Sequence, residues 1–397
     1  MPPFEESPGD AKNLLQKLQS AISAGKEISL EGLSLAQKGG RELRSPLNAI
    51  FGDRLEKMES ALALPMRIYR QTADDDFAPL DFGPGATKNS LQESLKESLK
   101  QAVRDAATPG ARAGDEIPDR ICVFIHGLGS SERTWEIRRT SRTAKEAANI
   151  KKGATVQRPS SYAKLLRRDT GHLCFFIRYN TGRHISKNGR DLAELLNRFA
   201  KLYPGKLREI NLIGHSMGGL VSRSAAYYGD AAGHKWIKYL SRNLLLGSPL
   251  LGSHQEQIGK LTTDVLKAIP LPGTRVTAHF LDFRSDGIQD LGYGYLRDED
   301  WDGSPPKSSS RFAWLSKPKT KADDQAARGA LKNRRNPVPL LKHTRYYLVI
   351  GSLSKDPEGI VGGFLGDGVV NRWSARGAAG RSDENSETYD APGGGAT

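Results

Sequence analysis

In NLIGHSMGGLVSR, residues 211–223, one serine stands between glycines at the end of an apolar run. Gly214, Ser216 and Gly218 spell G-x-S-x-G. So short a pattern also arises by chance, and its setting carries the information. EINLI runs straight into it as a strand, and MGGLVSRSAAYYG runs straight out as a helix. That strand–turn–helix context is the one in which such a serine is a nucleophile. The turn is tight enough to strain the serine backbone. Residues two positions away on each side must therefore lack side chains, and Gly214 and Gly218 do. The helix that follows aims free N–H groups and a partial positive charge at the reacting oxygen. Ser216 is the candidate nucleophile of an acyl transfer. The competing reading is a serine in an ordinary glycine-rich turn.

Acyl transfer needs two backbone N–H groups where negative charge develops on the carbonyl oxygen. Met217, immediately after Ser216, supplies one. The other is expected from FIHGLGSS, residues 124–131, which ends an earlier apolar run. We assign it to Leu128, with Gly127 and Gly129 giving the backbone room to turn. His126 reads as a brace for that loop by hydrogen bonding, in preference to a base.

These groups need rigid elements behind them. From residue 120, apolar runs at 121–125, 173–179, 209–214, 242–247 and 346–351 alternate with helical patterns. GRDLAELLNRFAKLY places Leu192, Leu195, Leu196 and Phe199 on one side of such a helix. Nearly continuous apolar strands alternating with helices predict a mostly parallel sheet with helices on both faces. Residues 253–340, rich in Gly, Pro, Lys and Ser, interrupt the alternation as an insertion after the sixth strand. Upstream, 11–70 reads mostly as helix, with Ser45 capping before Pro46. Residues 71–90 and 108–116 read as linkers. Leu91, Leu95, Leu99 and Val103 form the apolar stripe of an amphipathic helix that docks on another element. The expected division is a helical N-terminal extension over 1–115 and an α/β domain over 116–397.

Composition narrows the class. Apolar residues make up 37% of 397, which implies a core diluted by polar stretches. The two cysteines, Cys122 and Cys174, lie inside apolar runs and read as buried free thiols without a disulfide framework. A formal net charge of +14 is concentrated in two basic segments, about residues 133–168 and 311–335. Neither carries a nucleic-acid motif or interleaved aromatics, so they read as solvated loops with a weak attraction to anionic lipid. The N-terminus shows no secretory signal and no run is long enough to cross a bilayer, which predicts a soluble cytoplasmic protein.

HGLGSS followed by GHSMGG resembles the lipase and esterase branch of the α/β-hydrolases. RYNTGRHISKNGRDLAELL, residues 178–196, is similar to the segment after strand four in bacterial hydrolases related to the catalytic domain of GPI inositol-deacylase. LLLGSPLLGSH, 244–254, resembles their strand-six motif, with Leu250 where histidine is usual. RSDGIQDLGYGYLRDEDW, 284–301, resembles their cap, and GDGVV, 366–370, the segment bearing the triad acid. The resemblance covers roughly 120–397 and implies an α/β-hydrolase fold, an acyl-enzyme mechanism and an ester substrate, hydrophobic or lipid-like. It makes 253–340 the cap over the site. No metal or organic cofactor is needed for this chemistry.

In that fold the triad order is serine, acid, histidine. The resemblance and this order point to Asp367, between Gly366 and Gly368, as the acid, with Asp356 in reserve. All eight histidines precede Asp367. SETYDA reads as a last strand, and in the resembling family a stretch like PGGGAT leads into the catalytic histidine. The base is therefore expected just beyond Thr397. Two alternatives stand beside that expectation. One is an inactive fold that serves as a binding module for acyl chains or a partner protein; the other is His184 substituting as base.

Overall fold

The computed structural model describes residues 40–80, 88–106, 116–137, 161–250, 252, 285–301 and 335–349. Seven strands form one sheet: β1 (Arg67–Gln71), β2 (Phe77–Pro79), β3 (Arg120–Ile125), β4 (Leu173–Arg178), β5 (Glu209–His215), β6 (Leu240–Leu246) and β7 (Arg345–Val349). Their order is β2-β1-β4-β3-β5-β6-β7. The five strands from β4 to β7 run parallel, and β1 pairs antiparallel with both β2 and β4. The α/β fold is thus mixed and mostly parallel, an arrangement consistent with an α/β-hydrolase.

The central strands are apolar at nearly every position because both faces of the sheet are covered. On β3, Ile121, Val123 and Ile125 enter one core, and Cys122 and Phe124 the other. The larger core includes buried residues of α1 (Gly40–Lys57), α2 (Lys88–Asp105), α4 (Ile185–Leu202) and α5 (Met217–Ala231). The opposite core is closed by α3 (Tyr162–Thr170) and the short turn Glu132–Trp135. Leu192, Leu196 and Phe199 of α4 are fully buried, as their helical spacing predicts. Leu95, Leu99 and Val103 of α2 dock against the same core, while Leu91 is half-buried. Cys122 is buried and Cys174 half-buried; both are free thiols, side by side on β3 and β4.

The expected helical N-terminal extension needs correction. Residues 67–71 and 77–79, read as helix end and linker, are strands β1 and β2. The hairpin closes through Asp75, whose φ is 65°. RIYRQ alternates weakly because Arg70 is neutralised by Asp105 of α2 and stays half-buried, so its charge masks the strand pattern. Pairing with β4 decides the conformation where local propensity does not. The helix predicted to start at Ser45 instead begins at Gly40 and carries Pro46 inside it. Burial of Leu47, Ile50, Phe51 and Leu55 on its inner face offsets the hydrogen bond that proline removes.

The helical pattern at 11–39, most of the insertion (253–284 and 302–334) and everything after Val349 lie outside the described residues. Of the insertion, α6 (Asp286–Tyr293) is described, with the turn Asp298–Trp301. No helix among the described residues is long and apolar enough to cross a membrane.

Candidate active site

Ser216 sits between the end of β5 and the first residue of α5. Its backbone has φ 53° and ψ −121°, a region that costs a non-glycine residue on the order of 1–3 kcal/mol. Neighbouring elements impose the strain. Ser216 N–H donates to the Leu246 carbonyl at the end of β6 (2.8 Å), and Gly219 N–H donates back to the Ser216 carbonyl (3.0 Å). The flanking glycines are demanded by distance. A β-carbon on Gly218 would stand 2.2 Å from the Ile125 carbonyl oxygen and 2.6 Å from that of His126. One on Gly214 would stand 2.5 Å from Gly219 Cα. The spacing read from the sequence is thus a packing requirement of α5 against β3 and β5.

The His126–Ser130 loop follows β3 and lies beside the serine. A β-carbon at Gly127 would be 3.1 Å from Ser216 Cβ. Leu128 is the next residue and is buried. The orientation of its N–H follows from the peptide plane it shares with the Gly127 carbonyl. That carbonyl accepts from His126 Nδ1 (2.9 Å) and from Ser130 N–H (3.2 Å), so the Leu128 N–H points the opposite way. Met217 opens α5, and the first N–H groups of a helix have no partner within it. Leu128 thus lies in the loop beside Ser216 and Met217 follows it directly in the chain; Ser216 itself is 6% exposed.

His126 is 1% exposed and stacks on Tyr179, the ring centroids 4.6 Å apart. A carbonyl can only accept, so Nδ1 carries a proton. Burial pushes its pKa down to about 4, against which the bond to Gly127 works only partly. The unfolded chain, with a histidine near 6.5, binds the proton first. Stability contributed by this group is complete above pH 6.5 and is lost as pH falls toward 4. A displacement of that size is worth on the order of a few kcal/mol. Urea unfolding of wild type between pH 7 and 4 is expected to show that extra loss, and His126→Gln to lack it; equal pH slopes would contradict the burial argument.

The other described histidines are engaged elsewhere. His184 lies between two carboxylates of α6, with Nδ1 3.2 Å from Asp290 and Nε2 3.3 Å from Asp286, and packs edge-on to Trp301. Burial alone would lower its pKa; the bond to Asp290 and the charges of Asp290 and Asp286 outweigh burial and raise it. Asp290, wholly buried, also accepts from Ile185 N–H (2.6 Å) and Trp301 Nε1 (2.7 Å). His184 therefore pins α6 to the start of α4. His343 bonds the Ile237 carbonyl at the opposite, N-terminal end of its strand, His234 bonds Ala193 and Glu194, and His172 meets Asn211 and Glu209. His215, adjacent to Ser216, is exposed and faces Trp135. Among the described residues no histidine is hydrogen-bonded to the Ser216 hydroxyl. His254, His279, Asp356 and Asp367 lie outside the described residues. Leu250, where the resembling family usually has histidine, is half-buried against the main core.

A cleft of about 430 Å³ lies elsewhere, between the segment Ala63–Met66 and α4, lined also by Glu56, Arg183 and Arg198. Its walls include neither Ser216, Leu128 nor Met217.

Two residues at the site escape sequence reasoning. Tyr179 donates its hydroxyl to the His126 carbonyl (2.8 Å), and Thr181 Oγ1 accepts from Gly129 N–H (3.2 Å). Both lie in the loop after β4, about fifty residues from the loop they hold, and no spacing rule announces such pairs.

No curated protein matches this chain. Among solved structures it is similar to the lipase BlEst2 of Bacillus licheniformis in mature form, at 18% identity over 59% of this chain and 66% of that one, with a TM-score of 0.31. The propeptide form of the same lipase aligns at 19% identity over 59% of this chain and 36% of that one, TM-score 0.32. An esterase of Pyrobaculum calidifontis aligns at 14% identity over 53% of this chain and 68% of that one, TM-score 0.26. The chain thus spans just under two thirds of the mature lipase and about a third of its propeptide form. A protein-family match covers 116–267, the stretch that holds β3, the His126–Ser130 loop and the turn at Ser216. Residues 116–267 of this chain match the model of the PGAP1-like alpha/beta domain family.

Proposed function

We propose that the protein is a serine hydrolase of carboxylic esters, acting through an acyl-enzyme on Ser216. The observation that carries this reading is the strained Ser216 turn between β5 and α5, packed against Gly127 of the loop after β3. In the first half-reaction Ser216 Oγ attacks the ester carbonyl carbon while a base takes the hydroxyl proton. The carbonyl oxygen becomes an oxyanion held by the Leu128 and Met217 N–H groups. Collapse breaks the bond to the alcohol oxygen, which leaves with the proton from the base. Water then attacks the acyl-enzyme by the same route, releasing the acid and restoring Ser216.

Asp367 is the proposed acid that orients the base. The insertion 253–340 would act as the cap that selects hydrophobic or lipid-like esters. The basic segments would give weak contact with anionic lipid surfaces.

A second reading, an acyl-binding fold without turnover, is favoured by one observation: no described histidine addresses Ser216. The two separate on p-nitrophenyl butyrate and decanoate, assayed with the chain continued through whatever its coding sequence encodes after Thr397. The esterase reading expects p-nitrophenol release with an initial burst. No release, together with saturable binding of decanoate, would replace it with the binding module.

A further inference from the structure

We infer that Thr181, supported by Tyr179, is a positioning residue that holds the oxyanion loop from the far side. The inference rests on the esterase reading above and adds residues to it that lie outside the strand–turn–helix and the HGLGSS loop.

The Leu128 N–H is useful only if its peptide plane does not rotate. The loop that carries it has few internal ties, since glycines at 127 and 129 leave its backbone soft. His126 Nδ1 and Ser130 N–H fix the Gly127 carbonyl from within the loop. The remaining restraints come from the segment after β4. Tyr179 fixes the carbonyl on one side of the Gly127–Leu128 plane, through its 2.8 Å bond to His126. Thr181 fixes the N–H on the other side, through its 3.2 Å bond from Gly129. Both side chains are 1% exposed, so water does not compete for these bonds.

The anchor is itself immobilised. Asn180 Oδ1 accepts from Gly182 N–H (3.0 Å), and its Nδ2 donates to the Gly52 carbonyl of α1 (2.9 Å). Asn188 Nδ2 donates to the Asn180 carbonyl (2.9 Å). Gly287 N–H of α6 donates to the Gly182 carbonyl (3.1 Å). Helices α1, α4 and α6 therefore brace the turn that carries Thr181. An amide N–H displaced by a fraction of an ångström loses its bond to the oxyanion while the ground-state ester still binds.

Thr181→Val keeps shape and burial and removes the acceptor. It is expected to lower kcat for p-nitrophenyl butyrate by about tenfold or more while KM stays within about twofold. Thr181→Ser is expected to restore kcat to within about threefold. In amide hydrogen exchange, Gly129 in Thr181→Val is expected to exchange about tenfold faster, while amides of β3 are unchanged. A merely structural residue would raise exchange through β3 and would not be rescued in kcat by serine. Unchanged kcat and unchanged Gly129 exchange in Thr181→Val would overturn the inference, as would a loss that serine does not repair. A wild-type protein that hydrolyses no ester would overturn the esterase reading instead, and the Gly129 exchange would still decide whether Thr181 holds the loop.

Discussion

Ser216→Gly is expected to abolish ester turnover and, at the same time, to raise the stability of the protein by about 1 kcal/mol. The two effects have separate origins. Loss of the hydroxyl removes the nucleophile, and turnover falls on the order of 10⁴- to 10⁶-fold, to what binding and the oxyanion donors alone sustain. The stability gain comes from the backbone. At φ 53° and ψ −121° a β-carbon is strained and glycine is not. Relief of about 1–3 kcal/mol exceeds the roughly 0.5–1 kcal/mol that a more flexible unfolded chain takes back. Ser216→Ala is the discriminating partner: it loses the same turnover but keeps the strained β-carbon, so its urea midpoint stays near wild type. A less stable Ser216→Gly would mean that the turn is not held against its preference, and retained turnover in either variant would remove Ser216 from the chemistry.

Gly218→Ala is expected to be the most damaging small substitution near the site. The added methyl would meet the Ile125 carbonyl at 2.2 Å and the His126 carbonyl at 2.6 Å, and both are main chain. No rotamer change clears them, so α5 must move off β3. We expect a loss of about 3 kcal/mol or more. Because the same motion separates Ser216 from the His126–Ser130 loop, turnover should fall by about 10²-fold even in the fraction that stays folded. Gly205→Ala is the control. It sits in an exposed turn where the nearest atom would be 3.8 Å away, and it should leave unfolding and turnover unchanged. A Gly218→Ala protein as stable as that control would show that the helix does not press on the oxyanion loop.

What the sequence revealed and what it hid follow from how each element is stabilised. β3 and β5 are buried on both faces, so each reads as a continuous apolar run, and the turn at Ser216 reads through glycines that the packing distances require. α2 and α4 declare themselves by a stripe, since each has one buried side. The hairpin of β1 and β2 does not. Its strands are short, and its Arg70 is neutralised by a partner far away in sequence, Asp105 of α2. The N-terminal helix α1 looked like an appendage because nothing local reveals that Gly52 receives Asn180. Tyr179 and Thr181 were invisible for the same reason: a hydrogen bond across fifty residues leaves no period. His126 is the intermediate case. Its place beside Gly127 suggested a brace, and its tautomer became assignable only with the carbonyl it meets.

The central claim is that the Ser216 hydroxyl is a nucleophile in an oxyanion-stabilising turn. A fluorophosphonate probe tests it most directly, with the adduct located by peptide mass mapping in the wild-type chain, continued past Thr397 where its coding sequence continues. The prediction is one stoichiometric adduct on the peptide containing Ser216, absent from Ser216→Ala. An adduct on another residue, labelling that survives Ser216→Ala, or a folded wild-type protein that takes up no probe would contradict it.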